Sequence, residues 1–598
     1  MKRLFLFALA LATGLTACDD WLDKEPLDKI SQFDYFKSAT DLELFTNPFY
    51  NNMLSKEPFS QQSDQLVQYN LSNEMIGGNK RTVPTTGGGW SWTDLRRMNT
   101  LLAMAPLNCE DKAAVTKYCA ITRFFRAYFY FEKLKRFGDV PWYDKELGSA
   151  DKDLYKPRDS RELILTKMLE DIDEAINGGG LTEKVSTYRV NKWTAMALKV
   201  RFCLFEGTYR KYHGIDIEGH DYKYYLELAA ATARKIMDES PYKLFKTGQP
   251  ETDYVTLFAK ENADPDEYML AIRSDAGLQI FHNATGYAVM VTQGRPGLTR
   301  KFVNTFLMKD GTTFTDRPGW QEMTFTDETK GRDPRLAQSC RTPGYKRIGS
   351  TEVVPPDIST ANTGYQLVKF VQAVPPEGDR GDKSTCDMPV FRFTEVLLNY
   401  AEAKAELGTL TQDDLEISIN AIRERAGMPD LDMTAANKAP DWYLASQEYG
   451  YPNVTGANKG VILEIRRERA IELLEEGFRY YDLMRWKAGY CIDQPITGMY
   501  FPGPGEYDLT GDGKTDVILY AEGSPRPAEV PGIQLYELNK DIYLTGENSA
   551  RGYMFYHKTV ERTKFNEERD YLYPIPSTER QLNPNLTQNP GWNDGSDS

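Results

Sequence analysis

The chain has 598 residues, with 72 Lys and Arg against 87 Asp and Glu, a formal charge of −15, and 41% hydrophobic residues. That acidity argues against a nucleic-acid partner, whose binders need a basic stripe, and reads as a solubility device. The length supplies material for one large body or two intimate ones.

Lys2 and Arg3 precede the apolar run from Leu4 to Leu11, and Leu15-Thr16-Ala17 leads into Cys18. This is the pattern of a lipoprotein signal peptide over residues 1–17, so cleavage before Cys18 and lipid on that cysteine are expected. A chance cysteine after an ordinary secretory signal is the alternative. The run is shorter than the roughly 20 residues a spanning helix needs, and no later stretch reaches that length without charges. Cleavage removes two cations and no acids, which takes the charge from −15 to −17. Six cysteines remain (Cys109, Cys119, Cys203, Cys340, Cys386 and Cys491), with no C-x-x-C pair, and a protein this large has no need of staples. Buried thiols are expected for most of them.

Residues 18–30 read as an acidic leader broken by Pro26. A helical part follows over 31–240. In Ala113 to Gly138 the residues Ile121, Phe124, Phe125, Tyr128, Phe131 and Leu134 recur every three or four positions, so one face is core. Gly138 and Pro141 punctuate its end. Amphipathic stretches at Ser160–Asn177, Asn191–Glu206 and Asp221–Glu239 are spaced like helix pairs, which suggests a divergent tetratricopeptide-like stack. The C-terminal part, 241–598, opens with short apolar pieces broken by Gly, Pro, Asn and Asp up to about Met388. Helices return at Thr394–Leu407, Gln412–Ala426 and Gly460–Lys487, the last with Glu464–Arg467 and Glu475–Arg479 spacings suited to surface ion pairs. The expected class is mostly α, with helix pairs, a loop-rich face and a few short strands.

Signatures of catalysis are sparse. His213, His220, His282 and His557 show no H-E-x-x-H or comparable spacing, and neither G-x-S-x-G nor a strand-borne G-x-G-x-x-G occurs. The run Asp508-Leu509-Thr510-Gly511-Asp512-Gly513-Lys514-Thr515-Asp516 resembles half of a calcium loop, with Asp508, Thr510, Asp512 and Asp516 as oxygen donors. The position for the bidentate acid is Leu519, so a plain Asp/Gly turn competes with Ca²⁺, and no other cofactor is expected. Aromatics stand out more: 36 Tyr, 28 Phe and 9 Trp. Tyr and Trp offer flat apolar faces with polar edges that stack on sugar rings, although packing between helices accounts for most of them. Trp90, after Gly87-Gly88-Gly89, is expected on a mobile loop as a ligand residue, with Trp92 in the core. Trp320, after Arg317-Pro318-Gly319, and Tyr69 and Arg81 are weaker candidates of the same kind.

Several segments, in order, carry a resemblance. They are Cys18-Asp19-Asp20-Trp21-Leu22-Asp23, Arg126-Ala127-Tyr128 through Phe137-Gly138-Asp139-Val140-Pro141, and Arg332-Asp333-Pro334-Arg335-Leu336. They continue with Phe391-Arg392-Phe393-Thr394-Glu395 through Tyr400-Ala401-Glu402-Ala403, Arg466-Arg467-Glu468-Arg469 through Gly477-Phe478-Arg479 to Asp482-Leu483-Met484-Arg485-Trp486, and Leu572-Tyr573-Pro574-Ile575-Pro576 with Asn583-Pro584-Asn585 and Gln588-Asn589. Together they resemble the SusD/RagB outer-membrane nutrient-binding lipoproteins of Bacteroidetes. The resemblance implies a tetratricopeptide-like scaffold with a loop-rich ligand face, no catalysis, and capture of an oligo- or polysaccharide for a SusC-type TonB-dependent transporter. Asp19, Asp20 and Asp23 resemble the acidic signal that sends such lipoproteins to the cell exterior. A surface glycoside hydrolase and a peptide- or protein-binding helical-repeat adaptor are the competing readings. Without the family, the Arg-rich stretch from Arg466 to Arg485 reads as ion-paired scaffold.

Overall fold

The computed structural model describes residues 35–374 and 377–595. Its first half is a run of helices, most of them opened by a capping side chain. After α1 (Ala39–Met53) and α2 (Thr93–Asn108), the Asp111 carboxylate accepts from the Ala114 N–H and opens α3 (Lys112–Phe137). Ser160, Asn191 and Asp221 do the same for α4 (Arg161–Asn177), α5 (Lys192–His213) and α6 (Tyr222–Glu239). Gly138, at φ 71°, ends α3 in a conformation that costs glycine nothing.

Each helix packs on the next, α1 and α2 on α3, α3 on α4, α4 on α5 and α5 on α6. The array then continues into the C-terminal part. There α7 (Phe393–Leu407) lies on α6, α8 (Lys459–Glu472) on α7, and α9 (Arg479–Arg485) returns to α5. Polar bolts cross the apolar seams: Arg126 on α3 holds Asp171 on α4 with two bonds of 2.7 Å and the Asn99 amide on α2 at 3.0 Å.

Helix α5 runs seven residues past the expected end at Glu206, because Gly207 serves close approach instead of termination. A Cβ there would sit 2.7 Å from the Leu226 side chain and 3.0 Å from the Tyr222 carbonyl. Gly207→Ala is therefore expected to push α5 from α6 and cost about 1–3 kcal/mol, read as a lower urea midpoint at unchanged m-value.

Two other expected helices are broken. Gln412–Ala426 divides into Gln412–Glu416 and Ile419–Arg425. Gly460–Lys487 divides into α8 and α9 around a turn in which Glu475 (φ 62°) and Gly477 (φ 78°) are left-handed. The ion pairs of this stretch are buried, not at the surface as expected. Glu464 does meet Arg467 at 3.0 Å, whereas Arg479 turns to Asp64 at 2.7 Å and leaves Glu475.

Strands are short and antiparallel apart from one pair: β1 (Leu66–Val67) with β3 (Gly297–Leu298), β2 (Tyr268–Ile272) with β4 (Met388–Arg392), β5 (Tyr500–Phe501) with β10 (Gly552–Phe555), and β10 with β9 (Tyr543–Leu544). β6 (Gly505–Tyr507) pairs antiparallel with β7 (Val517–Tyr520), which pairs parallel with β8 (Gln534–Glu537). Among the described residues two large apolar cores form, one through the helices and one beneath the loops, and α8 feeds both through Ile465 and Ile471. The six described cysteines are buried free thiols.

Candidate functional site

Pairing of β1 with β3 sets Leu66 opposite Leu298 and Val67 opposite Gly297, and the Tyr69 N–H then donates to the Gly294 carbonyl at 2.8 Å. That register brings Arg295 beside Tyr69. Arg295 sits at φ 49°, between a left-handed Gly294 and Pro296, a conformation a non-glycine residue holds only when its surroundings over-determine it. Its guanidinium lies 5.4 Å from the Tyr69 ring centre and 4.7 Å from that of Tyr556, and Nη1 donates to the Tyr556 hydroxyl at 2.8 Å. The two tyrosine rings stand 4.8 Å apart at 55°. Tyr69 keeps 42% of its surface exposed and Tyr556 is half-buried, so a fixed aromatic pair faces solvent.

His557 fastens the platform from behind. Its Nε2 lies 2.8 Å from the Gln68 carbonyl and 3.1 Å from that of Tyr69, and burial lowers its pKa, which favours a neutral ring donating from Nε2. Below Arg295 the carbonyl of that residue accepts from the Asn362 N–H at 3.2 Å. Among the described residues, the Asn362 side-chain amide, the Thr363 hydroxyl and the Arg295 Nε are buried without protein partners. Such atoms carry a desolvation cost until water or a guest pairs them. The arrangement can stack a flat ring and hydrogen-bond its edge.

The other expected ligand residues are placed differently. Trp90 is only 6% exposed, edge-on to Trp92 at 5.3 Å and to Phe137 at 4.9 Å. The glycine run is no free loop: Arg136 Nε donates to the Gly88 carbonyl at 2.7 Å and Lys133 to that of Gly89. Trp92, expected in the core, is the half-buried one, and with Trp90, Tyr143, Leu154, Tyr155 and Leu582 it lines a cleft of about 610 Å³. Trp320 is also 6% exposed, beneath Trp442, which is 46% exposed and is fixed by its indole N–H donating to Asp316 at 2.9 Å. Arg81 is a buried clamp, ion-paired with Asp570 at 3.2 Å and held between the rings of Tyr573 and Trp592. Of the four, only Tyr69 takes part in the exposed cluster.

At the calcium-like loop the oxygens close a turn. Asp508 accepts from the N–H groups of Gly511 and Gly513 at 2.6 and 2.7 Å, Asp516 from those of Leu509 and Thr510 at 2.7 Å, and Asp512 pairs with Lys514 at 2.9 Å. The Thr510 hydroxyl turns to Asp508 as well. Among the described residues no three His, Cys, Asp or Glu side chains are grouped to hold a metal. Cys18 and the acidic leader lie outside the described residues.

Sequence reasoning missed Arg295, Tyr556 and Trp442. The positive φ of Arg295 leaves a trace in Gly294-Arg295-Pro296-Gly297, but strand pairing brings position 295 to 69, and position 556 joins them through the Arg295 and His557 side-chain bonds, none of which local sequence shows.

A stack of helix pairs that carries a loop-built face with exposed aromatic side chains is a scaffold suited to binding. The chain belongs to the SusD/RagB family: the model described as the SusD family matches residues 274–592, more than half of it. A second model, described as starch-binding and associating with the outer membrane, matches residues 34–191. SusD-like protein P38 of Formosa agariphila is 24% identical over 541 residues, 83% of this chain and 93% of its own length. Among solved structures, a SusD-like carbohydrate binding protein from Bacteroides fragilis superposes with a TM-score of 0.66 at 21% identity, over 93% of this chain and 100% of the other. A further SusD-like protein of that species gives 0.64 at 19%, over 95% and 100%. These likenesses establish the mostly helical SusD fold.

Proposed function

We propose that the protein is a lipid-anchored, surface-facing glycan-binding protein that captures oligo- or polysaccharide at the Tyr69–Tyr556–Arg295 platform and delivers it to a SusC-type TonB-dependent transporter. The observation that carries the reading is the exposed tyrosine pair locked by one arginine. Its rings are held in place before a sugar arrives, so little ordering entropy opposes binding. Family membership and the likeness to a carbohydrate binding protein support the ligand class, and the match to a family described as associating with the outer membrane supports the setting. Among the described residues no helix is long and apolar enough to cross a membrane, and the signal-like N-terminus ending at Cys18 supplies the attachment in this reading.

Capture without turnover is the activity this platform supports, because it holds donors and rings and no paired acid and nucleophile. Affinity electrophoresis through gels loaded with single polysaccharides tests it. Retardation is expected on at least one glycan, and Tyr556→Ala should weaken it by on the order of tenfold, ~1.4 kcal/mol. Release of reducing ends from the retarding glycan would favour a hydrolase instead, and no retardation on any glycan would reject sugar capture.

A further inference from the structure

A guanidinium brings five N–H donors and a fixed charge, and both need an answer when it is drawn into a protein. Arg300, Arg335, Arg392, Arg425 and Arg479 each meet a carboxylate within 3.2 Å. Arg332 and Arg562, which do not, each donate to three backbone carbonyls. The half-buried Arg295 has neither. Among the described residues its side chain makes one hydrogen bond, from Nη1 to the Tyr556 hydroxyl, while Nε is buried without a partner and Nη2 bonds to no protein atom. The faces of Tyr69 and Tyr556 attract the cation but do not neutralise it.

The segments around Arg295 are also bare of acids. Tyr69, Arg295, Asn362 and Tyr556 lie in residues 65–73, 276–309, 358–374 and 548–560, and none of these four runs contains an Asp or Glu. At the average of 87 acids in 598 residues, those 73 positions would hold about 11. A chain this acidic therefore builds its tyrosine platform from segments without negative charge. Asp357, which borders the third run, is engaged by the Ser359 N–H at 2.8 Å and the Ser359 hydroxyl at 2.6 Å. Lys558, two positions after Tyr556, adds an exposed cation whose Nζ lies 4.6 Å from the Tyr543 ring centre and which, among the described residues, has no carboxylate partner.

We propose that the platform selects a sugar with an anionic substituent, a carboxylate or a sulfate ester, which takes the unpaired edge of Arg295 while the sugar ring lies on Tyr69, so that the ligand is an acidic polysaccharide. This rests on the glycan reading above. Such a group projects from the rim of a pyranose, beside the apolar C–H face that stacks on a tyrosine, so one sugar can meet the ring and the cation together. A hydrogen bond between two charged groups is about twice as strong as a neutral one. The formal charge of −15 opposes the approach only weakly, because at physiological ionic strength charges more than about 8 Å apart are largely screened and the bound group senses its neighbours.

Matched polymers test this by affinity electrophoresis: polygalacturonate and alginate against their carboxyl-reduced forms, carrageenan against its desulfated form, and starch, xylan and mannan as neutral chains. An acidic polymer should retard the protein most, and removing its charge should weaken binding by roughly ten- to a hundredfold. The pair that responds tells a carboxylate from a sulfate. Arg295→Gln should lose the same factor on the acidic polymer and nothing on its neutralised form, which also shows that the tyrosine pair still stands. Arg295→Lys should recover part of the loss, and Lys558→Gln should lose about threefold. A neutral chain that retards the protein more than every acidic one, equal binding of a polymer before and after its charge is removed, or an Arg295→Gln protein that loses both forms equally would overturn charge selection and leave glycan capture standing. If none of the polymers retarded the protein, the functional reading itself would fall, and this inference with it.

Discussion

Glu472→Ala is expected to lower the unfolding free energy by about 3–5 kcal/mol, among the largest losses any single substitution should cause in this protein. Glu472 is fully buried at the end of α8, and its carboxylate faces Arg425 together with Arg335 and Arg392, each of the latter two at 3.4 Å. Burial alone would push its pKa up, but Arg425, Arg392 and Arg335 together hold it down at about 2. The cluster spreads from there. Arg335 also meets Asp333 and Glu468, Arg392 meets Glu267 and Glu476, and Arg425 meets Glu267. Removing one acid leaves three guanidiniums short of negative charge in a medium that cannot hydrate them, which is why breaking a buried pair costs far more than a surface pair contributes. Urea unfolding at neutral pH should show the loss as a lower midpoint. A Glu472→Ala protein within 1 kcal/mol of the parent, roughly the worth of a surface pair, would show that water reaches the cluster.

The same cluster shows what could be foreseen from sequence and what could not. The stretches read from apolar periodicity at Ala113, Ser160, Asn191 and Asp221 begin within one position of their helices, whose starts Asp111, Ser160, Asn191 and Asp221 fix by capping over a few residues. An ion-paired role for Arg466–Arg485 was legible from charge spacing, because Glu464 and Arg467 share one helix face. Its burial was not: Arg335, Arg392 and Arg425 arrive from segments far away in sequence, and spacing along one helix carries no information about them. Nor was the break between α8 and α9 visible, since the apolar period continues through Leu473 and Leu474 while the left-handed turn at Glu475 is imposed by tertiary packing. For the candidate site, aromatic content pointed to a residue type that the exposed cluster does contain, while three of the four residues chosen lie elsewhere. Trp90 has glycines before it, yet cations on α3 pin that loop by its carbonyls. Trp320 is covered by Trp442, a residue more than a hundred positions later. Tyr69 meets Arg295 through strand pairing of two distant segments, and Tyr556 through the Arg295 side chain.

Glu475 gives the second large effect, with the opposite pH sense. Its Oε2 is buried without a partner, and it borders a void of about 10 Å³ shared with Gln61, whose Oε1 also lacks a donor. Two bare acceptors at one void are relieved when a proton turns one of them into a donor. Burial pushes the Glu475 carboxyl up to about 8, Lys369 opposes the shift, and Glu476 adds to it. Arg479 borders the same void but is engaged with Asp64. Between its ordinary value near 4.5 and about 8, the native chain keeps a proton that the unfolded chain has released. Stability from this group is therefore complete below the lower value and is lost as pH rises through the upper one. The loss across that window should be about 5 kcal/mol. Glu472 and Asp64, each held near 2, contribute stability that is present above their ordinary values and lost as pH falls through about 2, so the three groups together set maximum stability on the mildly acidic side. Glu475→Gln supplies a permanent donor to Gln61 and removes the proton from the balance. Urea midpoints measured from pH 5 to pH 8.5 should fall for the parent and stay much flatter for Glu475→Gln; two parallel curves would show that Glu475 is ionised across the range and that water, not a proton, pairs it.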